Sequence, residues 1–292
     1  MDKIIGGVTA AKEVLDVLSK KIAHIKQKNN LSPCLKVVMA GDNPASAVYV
    51  KNKQKKADTL GIKAETINLK SSVTQTELIS EIKDLNNDPS VNGILVQLPL
   101  PKHIDPTSVI DAIDPKKDVD CFTKQNFGNL ILKKDTALKP CTPAGCIYLV
   151  KKALGNDLSG LDAVVIGRSN IVGKPMSALL LHENCTVTTV HSETKDITEK
   201  TRRADIVVAA VGIPQFLKGK HIKYGATVID VGINRMDNKI VGDVEFKSAE
   251  QKAKFITPVP KGVGPMTIAF LMVNTVTAFC IQNNVDFSDI II

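Results

Sequence analysis

The sequence predicts an α/β protein of two domains, and three observations carry that prediction. Short β-branched runs alternate with amphipathic helical stretches along almost the whole chain. Two such series flank a Pro-rich middle segment, "PLPKHIDPTSVIDAIDPKKDVDCFTKQNFGN", in which only 109–113 looks helical. A length of 292 residues accommodates two domains, and the economical arrangement puts ligand sites in a cleft between them.

The elements follow in order. "AAKEVLDVLSKKIAHIKQKNN" carries Val14, Leu15, Leu18, Ile22 and Ile25 as a helical stripe, and "LKVVMAG" is a strand ending at Gly41. Residues 45–61 form a helix, followed by strand "AETINL", helix "TQTELISEIKDLNND" and strand "GILVQLPLP". Beyond the loose segment, Thr142 is expected as a helix N-cap with Pro143 at the first helical position. The second series is "DAVVIG", "KPMSALLLHEN", "TVTTVH", "ITEKTRRA", "DIVVAAVG" and "ATVIDVG". It closes on the Pro/Gly-rich "FITPVPKGVGPMT" and an apolar run from Ile268, broken by Asn274 and expected to be a buried helix rather than a membrane span.

Composition narrows the function classes. With 38 basic and 30 acidic residues the net charge is +8, which favours anionic ligands. The lysines are dispersed, and 8 Phe, 3 Tyr and no Trp offer little stacking surface for nucleic acid. The 6 cysteines form no CxxC pair or metal spacing, and the opening "MDKIIGGVTAAKEVLD" lacks a secretory pattern. A cytoplasmic protein with reduced thiols, no metal and no membrane or nucleic-acid partner is expected.

The strand "DAVVIG" runs through Gly167 and a polar turn to Gly173, with a helix beginning near Pro175. Such a junction binds phosphate through free N–H groups and the helix dipole. The spacing is not G-x-G-x-x-G, so a plain tight connection is an open alternative. At the end of the next strand dinucleotide folds usually place an acidic residue; here His191 and Ser192 stand there, with Glu193 just past the strand end and Lys195 beyond. Arg168 offers a guanidinium fork to a 2′-phosphate, so NADP is expected over NAD.

In "ASAVYVKNKQKKADTLG", Tyr49, Lys53 and Lys56 fall on one helical face. On these residues alone a solvated lysine face and a substrate-directed lysine are both open. Gln97 lies at a strand's C-terminal end, where open α/β sheets place ligand groups, and Asp118 and Asp120 sit in a loop.

Taken together, "GDNPASAVYVKNKQKKADTLGI", "GILVQLPLP", "KDVDCFT", "PCTPAG", "VVIGRSNIVGKP", "DVGIN", "GDV" and "TPVPKGVGPMT" resemble, in order, the bifunctional methylenetetrahydrofolate dehydrogenase/cyclohydrolase family. The resemblance implies an N-terminal three-layer α/β folate domain (1–139 with 267–292) and a Rossmann-like NADP-binding domain (140–266) with a cleft between them. It implies NADP-dependent oxidation of 5,10-methylenetetrahydrofolate, hydrolysis of the methenyl product to 10-formyltetrahydrofolate, and a homodimer built through the NADP-binding domain. Lys53 matches the family's catalytic lysine, Tyr49 its substrate-stacking tyrosine, Gln97 the glutamine tuning the lysine, and Asp120 the aspartate holding the pterin. Leu98, Pro99 and Pro265 join the implied substrate site. The implied cofactor site comprises Thr142, Gly167, Arg168, Ser169, Val172, Gly173, Pro175, His191, Ser192, Gly212, Gly232, Ile233, Asn234, Asp243 and Thr267.

The residue types suit this chemistry. Hydride transfer needs positioning more than an acid or base, whereas hydrolysis of a cationic bridge needs an activated water and proton traffic. Tyr49 supplies a flat face, and Asp120 can accept from the N–H edge of a pterin. The chain departs from the family pattern at Cys121 and Lys261, where glycine is usual, which puts local backbone geometry in question. A dehydrogenase without hydrolysis, a basic nucleotide-binding module and a non-catalytic scaffold are the competing readings.

Overall fold

The structure is a computed structural model that describes residues 2–29, 31–134, 138–237, 239–287 and 290. By internal contact the chain divides into two compact units, Glu13–Cys141 with Leu271–Ile292, and Met1–Lys12 with Thr142–Phe270. After α1 (Gly7–Asn29), the first unit contains β1 (Cys34–Ala40), α2 (Pro44–Leu60), β2 (Lys63–Leu69), α3 (Gln75–Asn87), β3 (Gly93–Val96), α4 (Pro106–Asp111) and α5 (Lys124–Ile131). Its sheet has order β2-β1-β3 and is wholly parallel, with Val37 opposite both Thr66 and Leu95. Each parallel step is made by an intervening helix, as parallel pairing requires.

Helix α3 shows how sequence becomes position. Thr74 and Glu77 form a reciprocal capping box at its start. Leu78, Ile82 and Leu85, at helical spacing, bury against Val38, Ile94 and Val96 of the sheet. Its far end is held by Lys117, only 6% exposed, whose Nζ donates to the carbonyls of Leu85, Asn86 and Asp88 at 3.0, 2.8 and 2.7 Å. One ammonium thereby satisfies carbonyls that a helix C-terminus leaves without partners. Lys117→Met should lower the unfolding free energy by about 2–3 kcal/mol in a urea titration, because charge-assisted bonds disappear and buried acceptors are left bare. A loss below about 0.5 kcal/mol, the range of ordinary surface substitutions, would show that water replaces the ammonium there.

The second unit is built on α6 (Cys141–Leu154), β4 (Asp162–Ile166), α7 (Gly173–His182), β5 (Thr186–Val190), α8 (Ile197–Thr201), β6 (Ile206–Ala209), β7 (Thr227–Asp230), the ribbon β8 (Asn234–Met236) and β9 (Lys239–Val241), α9 (Phe246–Lys252), β10 (Phe255–Ile256) and the start of α10 (Val263–Gln282), whose residues from Leu271 on belong to the first unit. Its five-stranded sheet is parallel with order β10-β7-β6-β4-β5. The order reverses between β4 and β6, the switch point at which open α/β sheets bind ligands at their strand C-termini. The strands are buried on both faces, which is why "AVVI", "IVVA" and "TVID" show no alternation.

Several boundaries differ from the sequence expectation. Helix α6 begins at Cys141, so Thr142 lies inside it and does not cap it; its hydroxyl pairs instead with Thr267 Oγ1 at 2.8 Å. The loose segment contains α5, started by Thr123 accepting from Asn126 N. Helix α7 starts at Gly173, two positions ahead of Pro175. The terminal apolar run is part of a 20-residue helix, long and apolar enough to cross a membrane, with 72% of that window buried inside the protein.

Candidate active site

In the first unit, α2 and the C-terminal end of β3 bring two of the expected residues into contact. Lys53 Nζ donates to Gln97 Oε1 at 3.0 Å, and Gln97 Nε2 donates to the Leu98 carbonyl at 2.7 Å. The glutamine is thus fixed as an acceptor toward the lysine, and it adds no negative charge there. One helical turn before Lys53, Tyr49 is 40% exposed, leaving ring surface available for stacking. Ser46, Val50 and Ala57 are the buried positions of α2 among the described residues, so Tyr49 and Lys53 are not held as core residues. Leu98 is half-buried and Pro99 exposed beside Gln97.

Asp120 comes from the loop following Asp118, and that loop is pinned from four directions. Ile94 pairs with Asp118 by a parallel bridge. Asp118 is buried, and its carboxylate accepts from Thr123 N and Asn126 Nδ2 at 2.9 and 3.0 Å, so it is a support and not a ligand group. The Cys141 thiol donates to Val119 O at 3.3 Å and lies 3.7 Å from Asp120 Oδ1. Asn274, the polar residue interrupting α10, donates to the carbonyls of Val119 and Lys139 at 2.7 and 2.8 Å. Loss of hydration pushes the Asp120 carboxyl above the usual carboxylate range, and the Lys53 charge pulls it back down. Lys53 and Asp120 therefore share one electrostatic environment.

Both departures from glycine lie in the left-handed region, Cys121 at φ 59° and Lys261 at φ 80°. Each costs about 1–2 kcal/mol relative to a glycine, so the loops keep their path and carry a side chain as well. The Cys121 thiol is 1% exposed and is raised well above its ordinary range by burial, which makes it unreactive.

The second unit holds the expected cofactor turn. Gly167 has φ 121°, and a Cβ there would overlap the Ala210 carbonyl just past the end of the neighbouring β6. A Cβ on Gly173 would overlap the Gly167 carbonyl and reach 2.8 Å from Arg168 N. The two glycines thus fold the β4–α7 turn onto itself, and α7 starts at the C-terminal end of β4, with Lys174 N donating back to the Ser169 carbonyl at 3.0 Å. Ser169 Oγ accepts from Val172 N and Gly173 N at 3.2 and 3.3 Å, bracing the turn, while Pro175 is buried in the first turn of α7. Arg168 is exposed and makes no ion pair among the described residues. Ser192 is exposed after β5, and its hydroxyl donates to Glu193 Oε1 at 3.2 Å. Glu193 N donates to His191 Nδ1 at 3.3 Å. Glycine where no Cβ fits, an exposed guanidinium and a hydroxyl at the adjacent strand end make a cradle that fits a phosphorylated dinucleotide.

Gly212, Gly232, Ile233 and Asn234 follow the C-terminal ends of β6 and β7, on the same side as the turn. Pro265 and Thr267 lie in the first turns of α10. Asp243, assigned by the resemblance to the cofactor site, is 0% exposed, and its carboxylate accepts from Val211 N, Gly212 N and Asn234 Nδ2 at 2.6, 2.9 and 2.8 Å. Sequence reading missed Asp230, Cys141, Asn274 and Lys117 as supports. The mirrored "DVG" and "GDV" motifs were the one signal available for Asp230; the others act through carbonyls, which leave no residue pattern.

Comparison with known proteins adds family evidence to this geometry. Residues 5–120 match the model of the tetrahydrofolate dehydrogenase/cyclohydrolase catalytic domain, and residues 140–283 match that of its NAD(P)-binding domain. The chain is 57% identical to a bifunctional protein FolD of Ehrlichia ruminantium (strain Welgevonden), covering 97% of this chain and 96% of that protein. It is similar to the crystal structure of the bifunctional enzyme FolD from Campylobacter jejuni, with TM-score 0.92 and 45% identity over 96% and 98% of the two chains. A Trypanosoma brucei FolD solved with NADP cofactor and inhibitor gives TM-score 0.90 at 38% identity over 94% and 96%.

Proposed function

The chain belongs to the tetrahydrofolate dehydrogenase/cyclohydrolase family, and on that premise we propose that it oxidises 5,10-methylenetetrahydrofolate with NADP and hydrolyses the methenyl product to 10-formyltetrahydrofolate. The observation that carries the hydrolytic half is the Lys53–Gln97 hydrogen bond in the same electrostatic environment as Asp120. Asp120 accepts from the N–H edge of the pterin, and Tyr49 stacks on its ring face. Leu98 and Pro99 flank Gln97 in this substrate site, and Pro265 is assigned to it as well.

NADP, bound at the β4–α7 turn, supplies the hydride acceptor. The turn's glycines admit the pyrophosphate, and the positive end of the α7 dipole neutralises part of its charge. Oxidation leaves a cationic methenyl bridge. Lys53 takes a proton from the water that adds to the bridging carbon and returns it to the ring nitrogen whose bond to that carbon breaks. The remaining hydroxyl proton is released to solvent as the formyl C=O forms. Gln97 accepts from Lys53 Nζ and holds it in place. An assay with 5,10-methylenetetrahydrofolate and either dinucleotide, following methenyl and formyl products separately, tests this reading; no turnover with either would end it.

Arg168 and Ser192 are assigned to the 2′-phosphate. Arg168→Ala should weaken NADP by roughly 10- to 100-fold, the worth of a charge-assisted bidentate contact, and leave NAD within about threefold by dinucleotide titration. An equal loss for both cofactors would remove Arg168 from the 2′-phosphate. A homodimer through this unit is supported by β5, an edge strand whose Thr186, Thr188 and Thr189 are exposed next to Leu181, 61% exposed. All 6 cysteines are buried and none is in a disulfide, which supports a reducing, cytoplasmic location.

A further inference from the structure

Two aspartates behind the switch point are interlocked in a way the cofactor site does not by itself require. Asp230, the last residue of β7, accepts through Oδ1 from Gly232 N and Asp243 N at 3.1 and 2.9 Å, and through Oδ2 from Val244 N at 3.0 Å. Asp243 in turn accepts through Oδ2 from Val211 N and Gly212 N, and through Oδ1 from Asn234 Nδ2 at 2.8 Å. The glycines are part of the lock. A Cβ on Gly242 would overlap the Asp230 carboxylate, and one on Gly232 would overlap that of Asp243. Both aspartates are buried, at 3% and 0% exposure.

The consequence falls on Asn234, which is half-buried at the start of β8, just past the C-terminal end of β7. An amide can present either its carbonyl or its amino group, and only the hydrogen-bond network decides which. The Asp243 carboxylate oxygens are the acceptors in all three of its bonds, so the Asn234 amino group faces Asp243. Its carbonyl oxygen is then turned the other way, and among the described residues no donor reaches that oxygen.

We propose that Asp243 is a positioning residue for the dehydrogenase site. It fixes the acceptor polarity of Asn234 and the Val211–Gly212 turn together, with Asp230 as its brace, so that Asn234 Oδ1 accepts a hydrogen bond from the nicotinamide half of the bound dinucleotide. The donor is an N–H of the carboxamide or a hydroxyl of the adjoining ribose. This rests on the reading that the unit binds NADP.

The polarity can be inverted and restored by substitution. In Asp243→Asn, the new amide keeps its oxygen on the Val211 and Gly212 N–H groups and turns its amino group toward Asn234. Asn234 must flip and presents N–H to the cofactor. In the double variant Asn234→Asp/Asp243→Asn, the new carboxylate accepts from residue 243 and again presents an oxygen. Asn234→Ala leaves the Asp243 hold on the turn intact and removes only the acceptor.

The experiment is titration of wild type and the three variants with NADP, alongside thermal melts. Asn234→Ala should bind about three- to tenfold more weakly, the worth of one neutral hydrogen bond. Asp243→Asn should bind more weakly than Asn234→Ala, and the double variant should recover most of that further loss. Repeating the titration with the 3-acetylpyridine analogue of NADP, which lacks the carboxamide N–H, identifies the donor. If the Asn234→Ala loss vanishes with the analogue, the donor is the carboxamide; if it persists, the donor is the ribose. Asn234→Ala binding as wild type does, or a folded double variant no better than Asp243→Asn, would overturn the proposal. Wild type failing to bind NADP would overturn the cofactor reading instead.

Discussion

Lys53→Met should abolish conversion of methenyl- to formyltetrahydrofolate while hydride transfer to NADP continues at a measurable rate. Methionine keeps the length and apolar stem of the lysine but has no proton to accept or return. General acid–base catalysis is worth about 100- to 10,000-fold, and that whole factor should be missing from hydrolysis. Hydride transfer depends on alignment of the methylene carbon with the dinucleotide, to which Tyr49 and Asp120 contribute independently of Nζ. Its loss should be confined to what the altered packing beside Gln97 costs, since that glutamine would lose its partner at 3.0 Å. Stopped mixtures should therefore accumulate the methenyl intermediate. Wild-type hydrolysis in Lys53→Met would remove the lysine from the mechanism.

Gly173→Ala should cut NADP affinity by about 100-fold, the scale associated with a displacement of about 1 Å in a positioned site. The added methyl meets the Gly167 carbonyl and comes within 2.8 Å of Arg168 N. Both are backbone atoms, so no rotamer relieves the overlap, and the turn or the first turn of α7 must move. Either movement displaces the glycine turn assigned to the pyrophosphate. Gly128→Ala is the matched control: it lies in α5 with no atom within 4 Å of the added Cβ, and should be neutral or slightly stabilising.

What the sequence makes legible follows from the range of the forces involved. The βα alternation, the Tyr49–Lys53 spacing and the Gly167–Gly173 turn are local, and each stands in the structure where hydrophobic period and turn chemistry put it. Gln97 is legible because a strand's C-terminal end is a predictable place for a ligand group. The supporting shell is not legible. Asn274 breaks an apolar run, and nothing nearby in sequence says that its amide serves carbonyls at Val119 and Lys139, more than a hundred residues away. Lys117 resembles any surface lysine until three carbonyls of α3 close on it. Thr142 followed by Pro143 is a sound capping pattern, yet the helix starts at Cys141, two residues ahead of Pro143, and the hydroxyl finds Thr267. In each case a tertiary partner overrides the local signal.

The central claim is that one chain carries two activities on separately assignable residues, Lys53 for hydrolysis and the Gly167–Gly173 turn for hydride transfer. The most direct measurement supplies wild type, Lys53→Met and Gly173→Ala with either methylene- or methenyltetrahydrofolate and quantifies both products. Wild type should give the formyl product from both substrates. Lys53→Met should stop at methenyl, and Gly173→Ala should be impaired with the methylene substrate yet still hydrolyse supplied methenyl. Hydrolysis by Lys53→Met at the wild-type rate, or its loss in a folded Gly173→Ala, would contradict the account.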